Sequence, residues 1–416
     1  MIRILSDLLI MHIAHIHWRF DKFGGGENYL HGICRAQIES GHSVTVISGI
    51  DYSDNVETSG DIQHLTVPVS MGIRSGKRDL EHILKIILKA NPDIIHFHQT
   101  KGMLSPLIVK AIQKIKPSIK TIHDTGLFCP RSFVDDEMLK IYKDNICKSP
   151  MGISCGLKGC YSLSKNSFSR LLISIWEKNI MRNMDKLIVS SQYMLEELIR
   201  NGFLQNKIKV LPLYTEHGSD SSASEQLKDK MILFVGRIDS VKGALEFIQA
   251  LSLLKDEKWE ANIIGDGPKK EMAEKMVKQL KLDGKVKFKG KITPEKLGNF
   301  YKNACIVVMP SMIPESFGLV GIEAMAYRKP VVAFDSGGIR EWLVDGETGF
   351  LVQRGNIKGL ADKISQLLNN DDLSERMGKK GKERADNLFR KDIHLKKLLT
   401  IYKEAISERT NAGIIH

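Results

Sequence analysis

The chain has 416 residues, 42% of them hydrophobic and 26% charged, with a formal net charge of +12. That length exceeds one ordinary core and suits two domains of ~100–200 residues, and no run approaches the ~18 consecutive apolar residues of a membrane span, which excludes a spanning protein. The excess of cations calls for an anionic partner. Lys and Arg are dispersed, with neither an aromatic-interleaved platform nor a helix-turn-helix, so a phosphorylated substrate or an anionic membrane surface is favoured and nucleic acid is not.

In chain order, Met1 to Ile10 lacks the small-residue cleavage site of a secretory signal, so a cytoplasmic protein is expected, and Met11 is a second plausible start. Met11 to Ile16 reads as the first strand. The glycine-rich Phe23-Gly-Gly-Gly-Glu-Asn28 follows it, and Leu30, Ile33, Cys34 and Ile38 then recur at helical spacing up to a capping Gly41. Val44 to Ile47, Asp93 to His98 and Lys120 to His123 are further strands. The Lys-rich amphipathic stretches Lys77 to Lys89 and Leu107 to Lys116 suit an anionic leaflet and a solvated helix face equally well.

These elements define an expected first domain over 11–214, with a Cys-bearing insertion at about 129–160. Glu216 to Gln226 is polar and aperiodic, which marks the connection between domains. Alternation then restarts over an expected second domain, 228–390. Its strands are Met231 to Val235, Ala261 to Ile264, Val286 to Phe288, Cys305 to Met309 and Val331 to Phe334. Its helices are Leu245 to Leu254, Lys270 to Leu280, Pro294 to Asn303 after a Thr293 cap, and Leu319 to Tyr327. The fold class expected is α/β, two Rossmann-like doubly wound domains facing across a cleft, with a ligand in the crevice outside the carboxyl ends of the strands.

Three segments carry the chemistry. Pro314-Glu-Ser-Phe-Gly-Leu-Val-Gly-Ile-Glu-Ala-Met-Ala326 sets Glu315 and Glu323 on either side of a glycine turn that opens a helix, a natural seat for a diphosphate. If the segment were helical the two carboxylates would stand roughly 12 Å apart, one reaching a sugar and the other a ribose; solvated helix glutamates are the plainer reading. In Phe234-Val-Gly-Arg-Ile-Asp-Ser-Val-Lys-Gly243, Gly236 ends a strand and Arg237 and Lys242 occupy the loop before a helix. A lysine there opposes the helix dipole and asks for a nearby anion, such as charge growing on a departing diphosphate; a surface salt bridge would also satisfy it. The Gly24–Gly26 turn lets backbone amides approach a phosphate or acceptor, or is simply a tight turn. Tyr29 stands where the dinucleotide fingerprint needs a small residue. His98 and His123 end their strands at the crevice, where His123, next to Asp124, could orient substrate or move a proton.

Together with Gly265-Asp-Gly-Pro268, Phe288-Lys-Gly290 and Gly337-Gly338, these segments resemble the donor domain of the retaining glycosyltransferases of family four, whose fold is called GT-B. The resemblance runs from Met11 to about Leu388 and is strongest over Phe234 to Val352. It implies that Glu315 contacts the transferred sugar, Glu323 the ribose, and Arg237 and Lys242 the diphosphate. It further implies that Phe317, Gly318 and Leu319 supply backbone amides, that Lys289 to Lys291, with Gly290, lie near the base, that His123 and the Gly24 to Gly26 loop, with Gly25 and Gly26, sit at the reacting centre, and that Gly236, Gly267 and Ser316 also bind substrate or nucleotide. A retaining, metal-independent hexosyl transfer from a nucleoside-diphosphate (NDP) sugar is implied, with UDP favoured and a glycan or lipid-linked cell-envelope acceptor. So is a last helix, 391–410, crossing back to the first domain. Leu213-Tyr-Thr-Glu216 departs from the family's Asn-Gly after the interdomain strand. A sugar-nucleotide epimerase or hydrolase of the same fold, and a non-catalytic sugar-nucleotide scaffold, are the alternatives.

Cys34 and Cys305 fall in apolar periodic segments and read as core. Cys129, Cys147, Cys155 and Cys160 share the insertion and invite a structural zinc, although their spacing misses the paired C-x2-C of a zinc ribbon. No cofactor is expected for catalysis itself.

Overall fold

The computed structural model describes residues 10–20, 25–49, 62–67, 77–100, 103–129, 149–152, 154–157, 165–216, 230–254 and 258–414. Two parallel sheets organise them. The first contains β1 (His12–His17), β2 (Ser43–Ser48), β3 (Ile62–Thr66), β4 (Ile94–Phe97), β5 (Ser118–Ile122), β6 (Lys186–Val189) and β7 (Ile208–Val210), in the order β3-β2-β1-β4-β5-β6-β7. The second contains β8 (Lys230–Val235), β9 (Trp259–Ile264), β10 (Val286–Gly290), β11 (Ile306–Met309), β12 (Val331–Phe334) and β13 (Gly349–Val352), in the order β10-β9-β8-β11-β12-β13. Central strands such as β11 and β12 are buried throughout, which is why they read as unbroken apolar runs and not as alternation.

Helices cover both faces of each sheet. In the first lobe these are α1 (Gly25–Glu39), α2 (Lys77–Ala90), α3 (Pro106–Ile115), the short α4 (Ser154–Leu157), α5 (Lys165–Met181) and α6 (Gln192–Arg200). In the second they are α7 (Ala244–Leu251), α8 (Lys270–Gln279), α9 (Pro294–Asn303), α10 (Leu319–Ala326), α11 (Ile357–Leu368) and α12 (Asp371–Leu388). The last helix, α13 (Lys391–Ile414), packs on the first sheet. Its Leu395, Leu398, Ile401 and Tyr402 join Ile13, Leu30, Ile33, Ile94 and Ile119 in one apolar cluster with α1, and Lys186 Nζ meets Glu408 at 2.6 Å. Ile83, Ile108, Ile180 and Leu198, from α2, α3, α5 and α6, cover the opposite face.

Most expected strands lie within one or two residues of their observed bounds, and Gly41 ends α1 with φ 86°. Three differences are physical. Gly25 and Gly26 are the first residues of α1, not a turn preceding it. Thr293 precedes Pro294 at the start of α9 without a side-chain capping bond. The strands β3, β6, β7 and β13 are short and weakly patterned. Of the expected connection only Glu216 is described, and 217–226 lies outside the described residues.

In each sheet strand order reverses at one point, between β1 and β4 and between β8 and β11. Crevices open at the carboxyl ends of such strand pairs. The two lobes meet there: Ser190 Oγ and Ser191 Oγ donate to Ser316 O at 3.0 and 2.7 Å, and Gln192 N donates to Glu341 Oε2 at 2.8 Å. A Cβ built on Gly25 would lie 3.4 Å from Leu319 Cδ1, so the start of α1 faces the start of α10 across the cleft.

Candidate active site

The second lobe contributes a charged network at its reversal point. After β8 the chain turns through Arg237 and Asp239 into α7. Asp239, 6% exposed, accepts from the backbone N–H groups of Val241 and Lys242, each at 2.9 Å, and its other oxygen accepts from Arg237 Nε. The carboxylate therefore folds the loop and aims both cations. Gly243 makes the turn possible. Its φ is 76°, and a Cβ there would fall 1.9 Å from Pro310 O, so the loops after β8 and β11 approach more closely than any side chain would allow.

Lys242 Nζ donates to Glu315 Oε1 at 2.6 Å, and Ser311 Oγ donates to the same oxygen at 2.6 Å. Glu315 is buried in the loop after β11, bridged to Gly337. Burial pushes its carboxyl up, but the Lys242 charge and the hydrogen bonds from Lys242 and Ser311 outweigh this and hold it below the ordinary carboxylate value. The anion that Lys242 requires at a helix start is thus supplied within the protein by Glu315. Asp239 and Ser311, which organise the site, carry no signal in the sequence beyond lying beside Arg237 and Pro310.

Glu315 lies outside any helix, and α10 begins only at Leu319, so a 12 Å separation of helical carboxylates does not apply. Glu323, on α10, accepts from Tyr301 Oη of α9 at 2.6 Å. Gly318 precedes α10 with φ 92°; a helix start leaves its first amides without intrahelical partners, and of these Gly321 N donates to Gly318 O at 3.1 Å. Phe317 is fully buried against Phe389, and its carbonyl accepts from Trp342 Nε1 at 2.7 Å. Its side chain is core, so only its backbone can serve a ligand. Ser316 spends its carbonyl on the two interdomain serines. Gly236 N donates to Ile264 O at 3.0 Å, and a Cβ on Gly267 would fall 2.4 Å from Ile238 O, so both glycines knit the loops after β8 and β9 together. Gly290 ends β10 with φ 68°, and Lys291 beside it is exposed.

The first lobe contributes a layer of histidines. On β1, β4 and β5 the face toward α1 and α13 turns from apolar to polar as it nears the cleft: Ile13 gives way to His15 and His17, Ile94 to His96 and His98, Ile119 to Thr121 and His123. His123 Nε2 lies 3.2 Å from His98 Nδ1, and Tyr29 meets the His123 ring edge-on at 5.4 Å. Burial pushes His123 down to about 3 and His15 to about 4, so both are neutral near pH 7. His15, His96 and His98 lie close enough together for a metal ion. Both ring nitrogens of each are already engaged in hydrogen bonds, which argues for a hydrogen-bonded layer instead.

Of the cysteine group, Cys129 packs against the first lobe's core, and Cys155 is buried with Met151 and Leu171 in a separate cluster. Cys147 and Cys160 lie outside the described residues, as does Gly24.

Two facing doubly wound lobes with a charged reversal point on one side and a polar strand-end layer on the other define the GT-B class. The family model for Glycosyltransferase Family 4 matches residues 23–214, and that for Glycosyl transferases group 1 matches residues 219–384. Between them the two take in most of the chain, which belongs to the GT-B glycosyltransferases. A D-inositol 3-phosphate glycosyltransferase of Corynebacterium efficiens is 31% identical over 262 residues, 58% of this chain and 61% of that protein. The capsular polysaccharide biosynthesis glycosyltransferase CapM of Staphylococcus aureus is 26% identical over 347 residues, 79% of this chain and 82% of that one. The crystal structure of Anabaena HepE in complex with UDP-glucose superposes with a TM-score of 0.69 at 18% identity, covering 97% of this chain and all of that one. Matches to the curated relatives span from about half to about four-fifths of their length.

Proposed function

We propose that this chain transfers a hexose from an NDP-sugar, UDP-sugars foremost, to a glycan or lipid-linked cell-envelope acceptor, with retention and without a required metal ion. The observation that carries this is the Arg237–Asp239–Lys242–Glu315–Ser311 network at the reversal point of the second sheet, facing the opening of α10. In this reading Arg237 and Lys242 take the negative charge that grows on the diphosphate as the sugar leaves, a task a divalent cation performs in other enzymes. First-turn amides of α10 hold the phosphate oxygens. Glu315, kept ionised, accepts from sugar hydroxyls, and Glu323 with Tyr301 holds the ribose.

The acceptor hydroxyl then attacks the anomeric carbon on the face the phosphate leaves. Its proton passes to the departing phosphate oxygen, which balances the transfer. CapM's name supports an envelope acceptor, and the UDP-glucose complex of HepE supports the donor. Exposed Leu88, Leu107 and Ile115 beside Lys85, Lys89, Lys110 and Lys114 on α2 and α3 support contact with an anionic membrane at its cytoplasmic face. Among the described residues no helix is long and apolar enough to cross a membrane. A structural zinc at the insertion cysteines is proposed on their sequence grouping alone.

The test is a thermal-shift panel of NDP-sugars with and without EDTA, followed by product analysis. A ligand bound only by the folded state raises stability by RT ln(1 + [L]/Kd), about 2.7 kcal/mol at a hundredfold excess over Kd. No stabilisation by any NDP-sugar, or stabilisation that EDTA abolishes, would overturn the reading. Donor turnover without any acceptor would point to a hydrolase or epimerase.

A further inference from the structure

The polar layer behind His123 is a continuous chain of hydrogen bonds, and its direction is fixed at the far end. Pro212 O, just past β7, can only accept. His394 Nδ1 of α13 lies 2.8 Å from it and must be the donor. His394 is neutral near pH 7, pushed down to about 4 by burial, so its Nε2 accepts from Tyr29 Oη at 2.9 Å. Having given its only proton, Tyr29 can only accept from the neighbouring Thr121 hydroxyl, which lowers its pKa against the larger upward push of burial; nearer the cleft the direction is set independently by Gln37, whose Nε2 donates to Tyr402 Oη and whose Oε1 lies against His15 Nε2. Thr121 Oγ1 in turn accepts from His96 Nε2 at 2.7 Å, and His96 Nδ1 accepts from Tyr402 Oη at 2.7 Å.

Tyr402 Oη must then accept from Gln37 Nε2, 3.1 Å away, which turns the carboxamide oxygen of Gln37 toward His15. His15 Nε2 donates to that oxygen at 2.8 Å, leaving Nδ1 to accept from His98 Nε2 at 2.9 Å. His98 Nδ1 accepts from His123 Nε2 at 3.2 Å. Reversing any one link would set two donors or two acceptors against each other elsewhere, because every histidine in the chain is neutral and offers one of each.

We propose that this one-way chain holds His123 as its Nε2–H tautomer, with Nδ1 presented unprotonated as an acceptor, and that Gln37, Tyr402 and His394 are positioning residues for the reacting centre. The last helix, α13, therefore serves the site through two of its side chains besides packing on the first sheet. The inference rests on the proposed transferase only for its catalytic consequence. The tautomer itself is a property of the unliganded chain.

The experiment uses the full-length protein labelled with 15N-histidine and long-range 1H–15N spectra at pH 7, with His123 assigned by loss of its signals in His123→Gln. Wild type is expected to show His123 with a protonated Nε2 and a bare Nδ1, and His394 with the opposite tautomer. A protonated Nδ1 on His123, or a His123 cation, overturns the proposal whether or not any variant folds. Tyr402→Phe removes the link between Gln37 and His96 at nearly constant volume. It should mix the two tautomers of His123 and lower kcat for UDP-glucose by about ten- to a hundredfold, with KM little changed. A Tyr402→Phe protein with an unchanged His123 signature, or with wild-type kcat per folded molecule, contradicts the positioning role. Wild type inactive on every UDP-sugar but showing the expected tautomers would refute the proposed function and leave the chain intact.

Discussion

Replacing Lys242 by Met separates what this residue does for folding from what it does for catalysis. Unit charges in contact attract by about 4 kcal/mol at an effective dielectric of ~20. The lysine side chain is 36% exposed and that of Glu315 10%, so solvent screens the pair from one side. The folding free energy lost on truncation is then about 1–2 kcal/mol, below the 3–5 expected for a fully buried pair. Catalysis should suffer more. Removing one donor aimed at developing charge costs on the order of 10²–10³ in kcat.

The pH dependence carries a sign. Glu315 has a lowered folded pKa, so its contribution to stability is present above the unfolded carboxylate value of ~4.3 and is lost as pH falls through the lowered folded value. In Lys242→Met burial acts unopposed except by Ser311, the folded pKa rises, and acidification through that range should spare the variant relative to wild type. Urea unfolding at pH 7 and pH 4 alongside steady-state kinetics reads both quantities. A variant that loses activity only in proportion to its unfolded fraction, or that keeps the wild-type acid response, would refute the reasoning.

Arg237→Ala should leave stability within ~0.5 kcal/mol, since the side chain is 60% exposed, while turnover falls at least tenfold; calorimetry and kinetics on one preparation check this. Gly243→Ala should fail to fold its lobe or lose several kcal/mol, because the added Cβ meets Pro310 O at 1.9 Å and no side-chain motion relieves a backbone clash; soluble yield and circular dichroism report it. His15, His123 and His394 have folded pKa values lowered by burial, so stability should fall as pH drops below ~6.5, by up to ~1.4 kcal/mol per pH unit for each, until the folded values near 3 to 4 are reached. Unfolding midpoints between pH 7 and 5 test that slope. Metal analysis of purified protein should find one zinc per chain if the four insertion cysteines act together, and four reactive thiols without zinc would dismiss it.

The charged network of the second lobe was legible because its charged residues and their geometric supports are neighbours in sequence. Gly236, Arg237, Lys242 and Gly243 lie on one loop, and Glu315 precedes a glycine that needs a left-handed φ. What periodicity could not show was that Glu315 sits before the helix and not on it, since the break depends on a bridge to Gly337 some twenty residues downstream. The first lobe was legible only in outline. His98 and His123 stand out at strand ends, but the layer behind them is built by α13, whose His394 and Tyr402 are remote in sequence from the strands they serve. A period-two pattern, His15 and His17, His96 and His98, Thr121 and His123, was the available signal. Each member alone looks like an ordinary buried polar residue, and only the parallel register of β1, β4 and β5 makes a layer of them.

The two walls of the cleft differ in kind, and the difference orients a substrate. On the second lobe Arg237 is paired with Asp239 and Lys242 with Glu315 within the fold. On the first, burial pushes the pKa values of His15, His96, His98 and His123 down, so these four imidazoles offer hydrogen bonds without charge. Were His123 a cation, it would compete with Arg237 and Lys242 for the same diphosphate, and the donor would have two electrostatically plausible poses. On the proposed reading, a neutral His123 does not draw the phosphates away from the second lobe and the opening of α10. In the proposed transfer the anomeric carbon would then face the first lobe, where an acceptor hydroxyl would meet it beside an imidazole nitrogen that accepts and does not attract the leaving group.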